Sequence, residues 1–391
     1  GWEERGVDEP KTEVVVRGPR EGFTETLRTN TALLRRKIHN PNLIFEMLKL
    51  GQQTKTDVCI AYLKGVTNKK LIKEIKKRLN RIDTDAILES GYIEEFIEAA
   101  PFSPFSTIAN SERPDVVAAK LLEGRAAILV DGTPFVLTVP MLFVESFQVA
   151  EDYYSRPYYT TIIRWVRFIA FFLSVMSPAI YVALTTFHQE IIPTSLLITM
   201  IAATEGTPFP AVMAALLMGV IFEILREAGV RLPRPVGEAV SIVGALVIGE
   251  AAVSAGLISA PMVIMVAITA ISTFVVPAQT DVATILRILL VILAGTLGAF
   301  GIMIGLLGIL IHLAALRSFG TPYLSPVAPL SPGDLKDVLA RSPLWAMFAR
   351  PRTIGWKNPQ RQNYSLMPEP PQNKEKQNQE KNRQNSSKKG E

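Results

Sequence analysis

The sequence predicts a soluble α/β (α+β) module, which we expect to lie in the cytoplasm, followed by a polytopic α-helical membrane domain with discontinuous helices. Charge separates the two parts, because residues 1–160 contain 22 Lys and Arg and 23 Asp and Glu, whereas residues 161–320 contain 7 of each. A bilayer span needs about 20 mostly apolar residues. Four uncharged runs fill most of the second part, at residues 168–189, 206–222, 251–280 and 288–316.

We expect four parts along the chain. The soluble module covers residues 1–160, and the membrane domain covers residues 161–320. A membrane-proximal segment follows at residues 321–350. The tail at residues 351–391 is rich in Gln, Asn, Lys and Pro, a composition that favours disorder.

The module is predicted from strands that alternate with helices. Asp131-Gly132 between two apolar runs is typical of a hairpin. Strands are predicted at Thr12–Arg17, Leu43–Leu50, Asp57–Leu63, Ala127–Val130 and Phe135–Val139, and helices at Thr24–Ile38, Asn68–Arg81, Pro114–Glu123 and Met141–Gln148.

The membrane domain is predicted to contain four ordinary spans and one long apolar stretch. Prolines interrupt the helices at residues 205–210 and 277–281. As one helix, the last stretch, Val282–Leu316, would be about 52 Å long against a hydrocarbon core of about 30 Å, so it must tilt, extend beyond the bilayer or bend near Gly298 and Gly301. The four ordinary spans are Phe168–Phe187, Ala211–Arg226, Gly237–Leu257 and Pro261–Val276.

Loop charges predict the orientation. Arg164 and Arg167 precede the first span, and the opposite loops at residues 188–192 and 257–261 contain no Lys or Arg. Cytoplasmic loops are enriched in basic residues, so the module is expected inside. An odd number of crossings would export the tail, whereas its basic charge favours the inside.

Carboxylates beside apolar segments are the candidate functional residues. Ionisable groups at membrane depth usually face a pathway, a cavity or a partner. We therefore take Glu205, Glu250 and Asp281 as candidates for a pore or an intersubunit seam. Glu223 and Glu227 have basic residues three or four positions away and are interpreted as members of interfacial ion pairs.

Glycines in the apolar stretches are candidates for close helix packing. Gly244 lies in the third predicted span, and Gly301 and Gly305 form a GxxxG pattern in the last one. This pattern suits helix contacts within or between subunits.

Several function classes lack support in the sequence. One cysteine and three scattered histidines exclude a cysteine zinc site and disfavour a histidine metal site. Nucleotide-binding glycine motifs are absent. We expect no catalytic, cofactor-binding or metal residues, no cofactor, no enzyme activity and no nucleic-acid partner, while the lysines at residues 69–77 could contact anionic lipid.

Seven short motifs are spread over residues 10–350. They are Arg17-Gly-Pro-Arg-Glu-Gly-Phe23, Pro101-Phe-Ser-Pro104, Asp131-Gly-Thr-Pro134, Glu151-Asp-Tyr-Tyr154, Glu205-Gly-Thr-Pro-Phe-Pro210, Arg234-Pro-Val-Gly237 and the stretch 239–249. In these motifs the sequence resembles the A subunits of GerA-type spore germinant receptors. The resemblance implies a multi-pass protein of the inner spore membrane that continues a longer N-terminal sequence and works with a transporter-like B subunit and a lipoprotein C subunit. The membrane carboxylates and glycines add the expectation of a homo-oligomer.

Three other readings stay open at this point. The related SpoVAF-like branch, linked to dipicolinic acid release channels, shares the same motifs. A stand-alone secondary transporter would suit the broken helices, and a structural scaffold would need no pathway. The leading hypothesis is a receptor subunit that oligomerises and helps to open an ion pathway during germination.

Overall fold

A five-stranded antiparallel sheet forms the centre of the N-terminal region in this computed structural model, which describes residues 6–10, 12–232, 244, 247–355, 358–363 and 366–368. The strand order is β1-β2-β4-β5-β3. The strands are β1 (Leu43–Leu50), β2 (Thr56–Leu63), β3 (Ala109–Ser111), β4 (Ala126–Val130) and β5 (Val136–Val139).

Helices cover both faces of this sheet. Alternate residues of a strand point to opposite faces, so Cys59 and Ala61 of β2 contact one helix pair and Val58 and Ile60 contact the other. The first pair is α1 (Leu27–Lys37) and α4 (Pro114–Glu123), and the second is α2 (Lys69–Leu79) and α3 (Ser90–Ile97). The predicted mixed α/β class is therefore confirmed for this region.

The predicted strand at Thr12–Arg17 is wrong, although most of the other module elements are found. Residues 12–17 form no strand, and Val14 and Val16 are exposed instead of packed. Within the described residues, the five-stranded sheet ends at the edge strand β3 and does not include residues 12–17.

Helix α3 and strand β3 were absent from the prediction, and one predicted short helix is found as a 3₁₀ helix. Helix α3 and the three-residue strand β3 have sequences too short for a clear periodic pattern. A 3₁₀ helix at Phe143–Phe147 takes the place of the predicted helix Met141–Gln148. The predicted hairpin is confirmed, since β4 pairs with β5 across Asp131-Gly132.

The second half of the chain forms a bundle of apolar helices. Two stretches, Pro157–Thr186 and Pro277–Ala315, are long and apolar enough to cross a membrane by length and composition. The helices are α5 (Pro157–Thr186), α6 (Thr194–Thr204), α7 (Ala211–Arg231), α8 (residues 247–254), α9 (Ala260–Val275) and α10 (Thr280–Ala315).

Helix α10 reverses direction at Gly298. Its φ of 63° and ψ of −141° are not helical, and only glycine adopts them without strain. A Cβ on Gly305 would lie 2.9 Å from Leu293 and would also contact Leu290. In a straight helix Leu290 and Gly305 would be about 22 Å apart, so residues 280–297 and 299–315 form two antiparallel arms.

Polar contacts define two ends of the bundle. At the end beside the module, the near end, Gln279 donates to Ser146 over 2.6 Å and His312 is 2.8 Å from Ser103. At the far end, the backbone N–H of Ala299 donates to His188 over 3.2 Å. Both arms of α10 therefore run between the same two ends as α5.

The bend in α10 is one of the three outcomes that the length of the last stretch allowed. Each arm contains 17 or 18 residues and is about 26 Å long, close to the thickness of a hydrocarbon core. The first, second and fourth expected spans correspond to α5, α7 and α9. In the third, residues 237–243 and 245–246 lie outside the described residues, and residues 247–254 are helical.

Residues after α10 return to the module. The Ser318 hydroxyl donates to the carbonyl of Thr107 over 2.6 Å, and the backbone N–H of Phe143 donates to the carbonyl of Tyr323 over 2.9 Å. The Arg350 guanidinium donates to the carbonyl of Leu122 over 2.8 Å. This C-terminal segment, residues 317–355, contains β6 (Arg317–Ser318), β7 (Thr321–Pro322) and α11 (Arg352–Gly355).

The expected tail begins inside this packed segment. Ile354 is buried, and the Arg350 guanidinium also donates to the carbonyl of Asn358 over 2.9 Å. The polar composition of the tail therefore did not indicate that Ile354 is buried or that carbonyls of the tail accept hydrogen bonds from Arg350. Residues 369–391 of the expected tail lie outside the described residues.

We predict that Cys59 does not react with iodoacetamide at pH 8 in the folded protein. It lies between the sheet and α1 with no exposed surface, and burial raises the pKa of its thiol to about 12, so the reactive thiolate is scarce. Mass spectrometry should show full alkylation only in denaturant. An exposed Glu95→Cys control should react in the folded state, and equal rates for both thiols would contradict the burial.

We predict that Gly305→Leu destabilises the helix bundle and that Gly308→Leu does not. The new side chain at 305 would press on Leu290 and Leu293 of the opposite arm, whereas a Cβ at 308 would meet no atom within 4 Å. Overpacking costs about 1–3 kcal/mol. Thermal unfolding in detergent should show a lower midpoint for Gly305→Leu alone, and equal midpoints would contradict the hairpin.

Candidate functional site

A buried ion-pair cluster joins the module to α5. Arg164 in the second turn of α5 has 0% exposed side-chain surface, and its Nε donates to Asp152 over 3.0 Å. Arg167 donates to the same carboxylate over 2.8 Å and to the carbonyl of Phe147 over 3.0 Å. One acidic residue of the module therefore pairs with both basic residues that precede the first apolar run.

The C-terminal segment completes this cluster. Arg164 Nη1 donates to the Asp337 carboxylate over 2.7 Å and to its backbone carbonyl over 2.6 Å. The Tyr153 hydroxyl donates to the same carboxylate over 2.6 Å. Burial, followed by the charge of Asp337, raises the pKa of Tyr153, so its phenol stays protonated as a donor. We call Asp152, Tyr153, Arg164, Arg167 and Asp337 the junction cluster.

The neighbouring Tyr154 connects this region to the start of the chain. Its hydroxyl donates to Asp115, which also accepts two hydrogen bonds from the buried Arg113. A Cβ on Gly18 would lie 2.8 Å from the Tyr154 ring, and the φ of Gly18 is 145°. The motifs at residues 17–23 and 151–154 thus meet in space and hold the base of α5 against the module.

A second charged group lies inside the helix bundle. Arg287 of α10 has a side chain that is 6% exposed and donates to Glu223 of α7 over 2.6 Å. The Glu223 carboxylate also accepts from Thr284 over 2.9 Å and from Arg226 over 2.7 Å. Glu223 therefore bridges α7 and α10 in addition to forming the pair with Arg226 that its spacing predicts.

A cavity of about 830 Å³ lies next to this ion pair. Side chains from α5, α7, α9 and the first arm of α10 line it, and most of them are apolar. Its polar groups are concentrated on α7 and α10, around Glu223 and Arg287. Such a cavity has the size of a small-molecule site, roughly 300–1,000 Å³.

The three candidate pore residues are not brought together within one chain. Glu205 follows α6 and precedes the far-end start of α7, whereas Asp281 lies in the first turn of α10 at the near end. Glu250 lies on α8. All three side chains are exposed, and none of them lines the cavity beside Glu223 and Arg287.

The candidate packing glycines contact residues of the same chain. A Cβ on Gly301 would collide with the carbonyl of Leu293 in the other arm of α10, and one on Gly244 would lie 2.9 Å from Leu225 of α7. A larger residue at Gly301 would therefore act on the α10 hairpin before it could act on a contact between chains.

Sequence reasoning missed Arg287 and Asp337. Arg287 lies among apolar residues directly before the uncharged run 288–316, with Asp281 as the nearest other charge, and this position was the available signal for an ion pair inside the bundle. Asp337 has no such signal, because its partner Arg164 is 173 residues away. Among the described residues, no group of three or more His, Cys, Asp or Glu side chains could hold a metal ion.

Comparison with known proteins identifies the family of this chain. The family model described as Bacillus/Clostridium GerA spore germination protein matches residues 1–353. The chain belongs to the GerA family. The matched region includes the module, the apolar bundle and the C-terminal segment up to α11.

Relatives of known sequence share most of the chain. Spore germination protein KA of Bacillus subtilis is 54% identical over 372 residues, which cover 95% of this chain and 68% of KA. Stage V sporulation protein AF of the same organism is 34% identical over 361 residues, covering 92% of this chain and 73% of the relative. The chain is therefore similar both to a spore germination protein and to a stage V sporulation protein.

One solved structure is also similar. It is the N-terminal domain of the A subunit of the Bacillus megaterium spore germinant receptor GerK3. The identity is 57%, covering 31% of this chain and 97% of that domain, with a TM-score of 0.27.

We predict that Asp337→Ala loosens the C-terminal segment. The change removes one carboxylate from the buried Arg164 and the acceptor of Tyr153, and losing such a charged partner costs about 1–3 kcal/mol. Limited proteolysis should cut residues 325–355 faster, and the thermal midpoint should fall. Leu330→Ala, an exposed change in the same segment, is the control, and equal proteolysis of both variants would contradict the role of the cluster.

Proposed function

We propose that this chain is the A subunit of a nutrient germinant receptor in the inner membrane of the spore, where it oligomerises and helps to convert nutrient binding into ion release. The observation that carries the proposal is the GerA family match over residues 1–353. The name of the GerK3 domain describes an A subunit of such a receptor. The family name describes a role in germination and no chemical reaction.

The arrangement of the chain supports a polytopic membrane protein with its module in the cytoplasm. Two stretches are long and apolar enough to span a membrane. Arg164 and Arg167 lie at the near end with the module, and basic residues favour the cytoplasmic side. The reversal at Gly298 returns residues 317–355 to that end, so the C-terminal segment is cytoplasmic in the same proposal.

The exposed carboxylates support a pathway between subunits. An exposed Glu or Asp in contact with lipid would cost on the order of 3 kcal/mol at the membrane centre. Oligomerisation would remove Glu250 from lipid and place it against water or another chain. The proposed partners are further copies of this chain, a transporter-like B subunit, a lipoprotein C subunit and membrane lipid.

Two other functions remain as alternatives with a specific observation behind each. Similarity to stage V sporulation protein AF favours an accessory of a dipicolinic acid channel. The broken helix at residues 205–210 favours a stand-alone secondary transporter. Liposomes that contain this chain alone should show neither substrate-coupled flux nor dipicolinic acid release if the receptor proposal is correct.

We predict that a cysteine at position 95 is protected from an impermeant maleimide in sealed, right-side-out membrane vesicles, and that one at position 190 is labelled. Glu95 on α3 and Glu190 in the far-end loop are both exposed acidic residues, so the two substitutions are chemically matched. Cys59 is buried and should contribute no background. Labelling at 95 without permeabilisation would reverse the proposed topology.

We predict that Glu250→Gln lowers nutrient-triggered potassium release from spores at least severalfold while the receptor level is unchanged. The substitution keeps the shape of the side chain and removes the charge that a cation pathway would use. Glu190→Gln, exposed in the far-end loop, is the matched control. Release equal to wild type in Glu250→Gln spores would remove Glu250 from the pathway.

A further inference from the structure

An unused hydrogen-bond donor lies beside the cavity in the helix bundle. Arg287 Nη2 donates to Glu223 and Thr284, whereas the buried Nη1 has no partner among the described residues. A buried guanidinium nitrogen without an acceptor is costly. Arg287 also lines the cavity, so an acceptor on a ligand that reached this guanidinium would remove that cost.

The charges around this donor favour an anion. Both oxygens of Glu223 are already used, because Oε1 accepts from Arg287 and Oε2 accepts from Arg226. Glu227 pairs with Arg231 at the near end of α7. The group thus contains two carboxylates and three guanidiniums, a net charge of plus one, and a monoanion would neutralise it.

The rest of the cavity favours a hydrocarbon chain. From the ion pair it extends along Leu216 and Val220 of α7, Val266 of α9 and Val291 of α10. The lining from residue 215 to residue 231 covers about 24 Å of α7 at 1.5 Å per residue. Charged groups thus occupy the near-end half of the cavity, and apolar groups occupy the other half.

We propose that this cavity binds an anionic amphiphile, with its carboxylate or phosphate on Arg287 and its hydrocarbon chain between α7, α9 and α10. This site depends on the proposed membrane placement, because a near-end headgroup would then lie at the cytoplasmic leaflet. It is separate from the exposed carboxylates of the proposed ion pathway. Fatty acids and anionic phospholipids share the required chemistry.

Gly219 provides a substitution that blocks the cavity with little strain. It lines the cavity, and a Cβ placed on it meets no atom within 4 Å. Gly219→Phe would put a ring where the hydrocarbon chain lies. Gly308→Phe is the matched control, because a Cβ at 308 also meets open space and Gly308 does not line the cavity.

The test uses the whole chain in phosphatidylcholine nanodiscs with palmitate that carries a photoactivatable diazirine on its tail. Peptide mass spectrometry should locate the crosslink on the cavity-lining parts of α7, α9 and α10. Labelling should fall about 10- to 100-fold in Arg287→Gln, the effect of losing a charged hydrogen bond. It should fall at least tenfold in Gly219→Phe and stay unchanged in Gly308→Phe.

Competition identifies the source of the anion and can overturn the site. Unlabelled palmitate should compete, while uncharged methyl palmitate should not. Competition by phosphatidylglycerol assigns the site to an anionic phospholipid, and its failure to compete assigns the site to a free fatty acid. Equal competition by methyl palmitate, or wild-type labelling of Gly219→Phe, would overturn the proposal. None of these measurements depends on a response to nutrient, so they are independent of the receptor function.

Discussion

The burial of one guanidinium, that of Arg164, constrains how the three parts of this protein fit together. A charge without exposed surface is tolerated only when its partners are in place, and here they come from the module, through Asp152, and from the C-terminal segment, through Asp337. The apolar core also crosses this junction, because Phe105, Met141 and Tyr323 pack with residues of the helix bundle. Module, bundle and C-terminal segment are therefore held together at the base of α5.

The two ion-pair groups have different physical settings. In each group one arginine has a buried nitrogen without an acceptor among the described residues, Nη2 of Arg164 and Nη1 of Arg287. The two differ in their surroundings, because Arg164 is enclosed by the module and the C-terminal segment, whereas Arg287 lines the large cavity of the bundle. The first arrangement is typical of a structural joint, and the second leaves room for a ligand.

Local patterns predicted much of this fold from the sequence, and long-range pairing explains what they missed. Strand β1 and helix α4 lie at the predicted bounds because their apolar spacing and their flanking turns are local signals. The bend at Gly298 was one of three outcomes that the length of the last stretch allowed, and the glycines there indicated its place. The Thr12–Arg17 strand failed because a strand needs a neighbour that its own residues do not specify. Asp337 was missed for the same reason. For Glu223, the sequence predicted the ion pair with Arg226 but not the one with Arg287, because Arg287 lies on another helix.

The 173 residues between Arg164 and Asp337 determine when the junction cluster can form during synthesis of the chain. At a translation rate of roughly 5–20 residues per second, the nascent chain exposes Arg164 roughly 10–30 s before its second carboxylate is made. The apolar helices that follow α5 are synthesised during that interval. Asp337 reaches Arg164 only when those helices return it to the near end. The pair of Arg164 with Asp337 can therefore form only after the helices between them are complete.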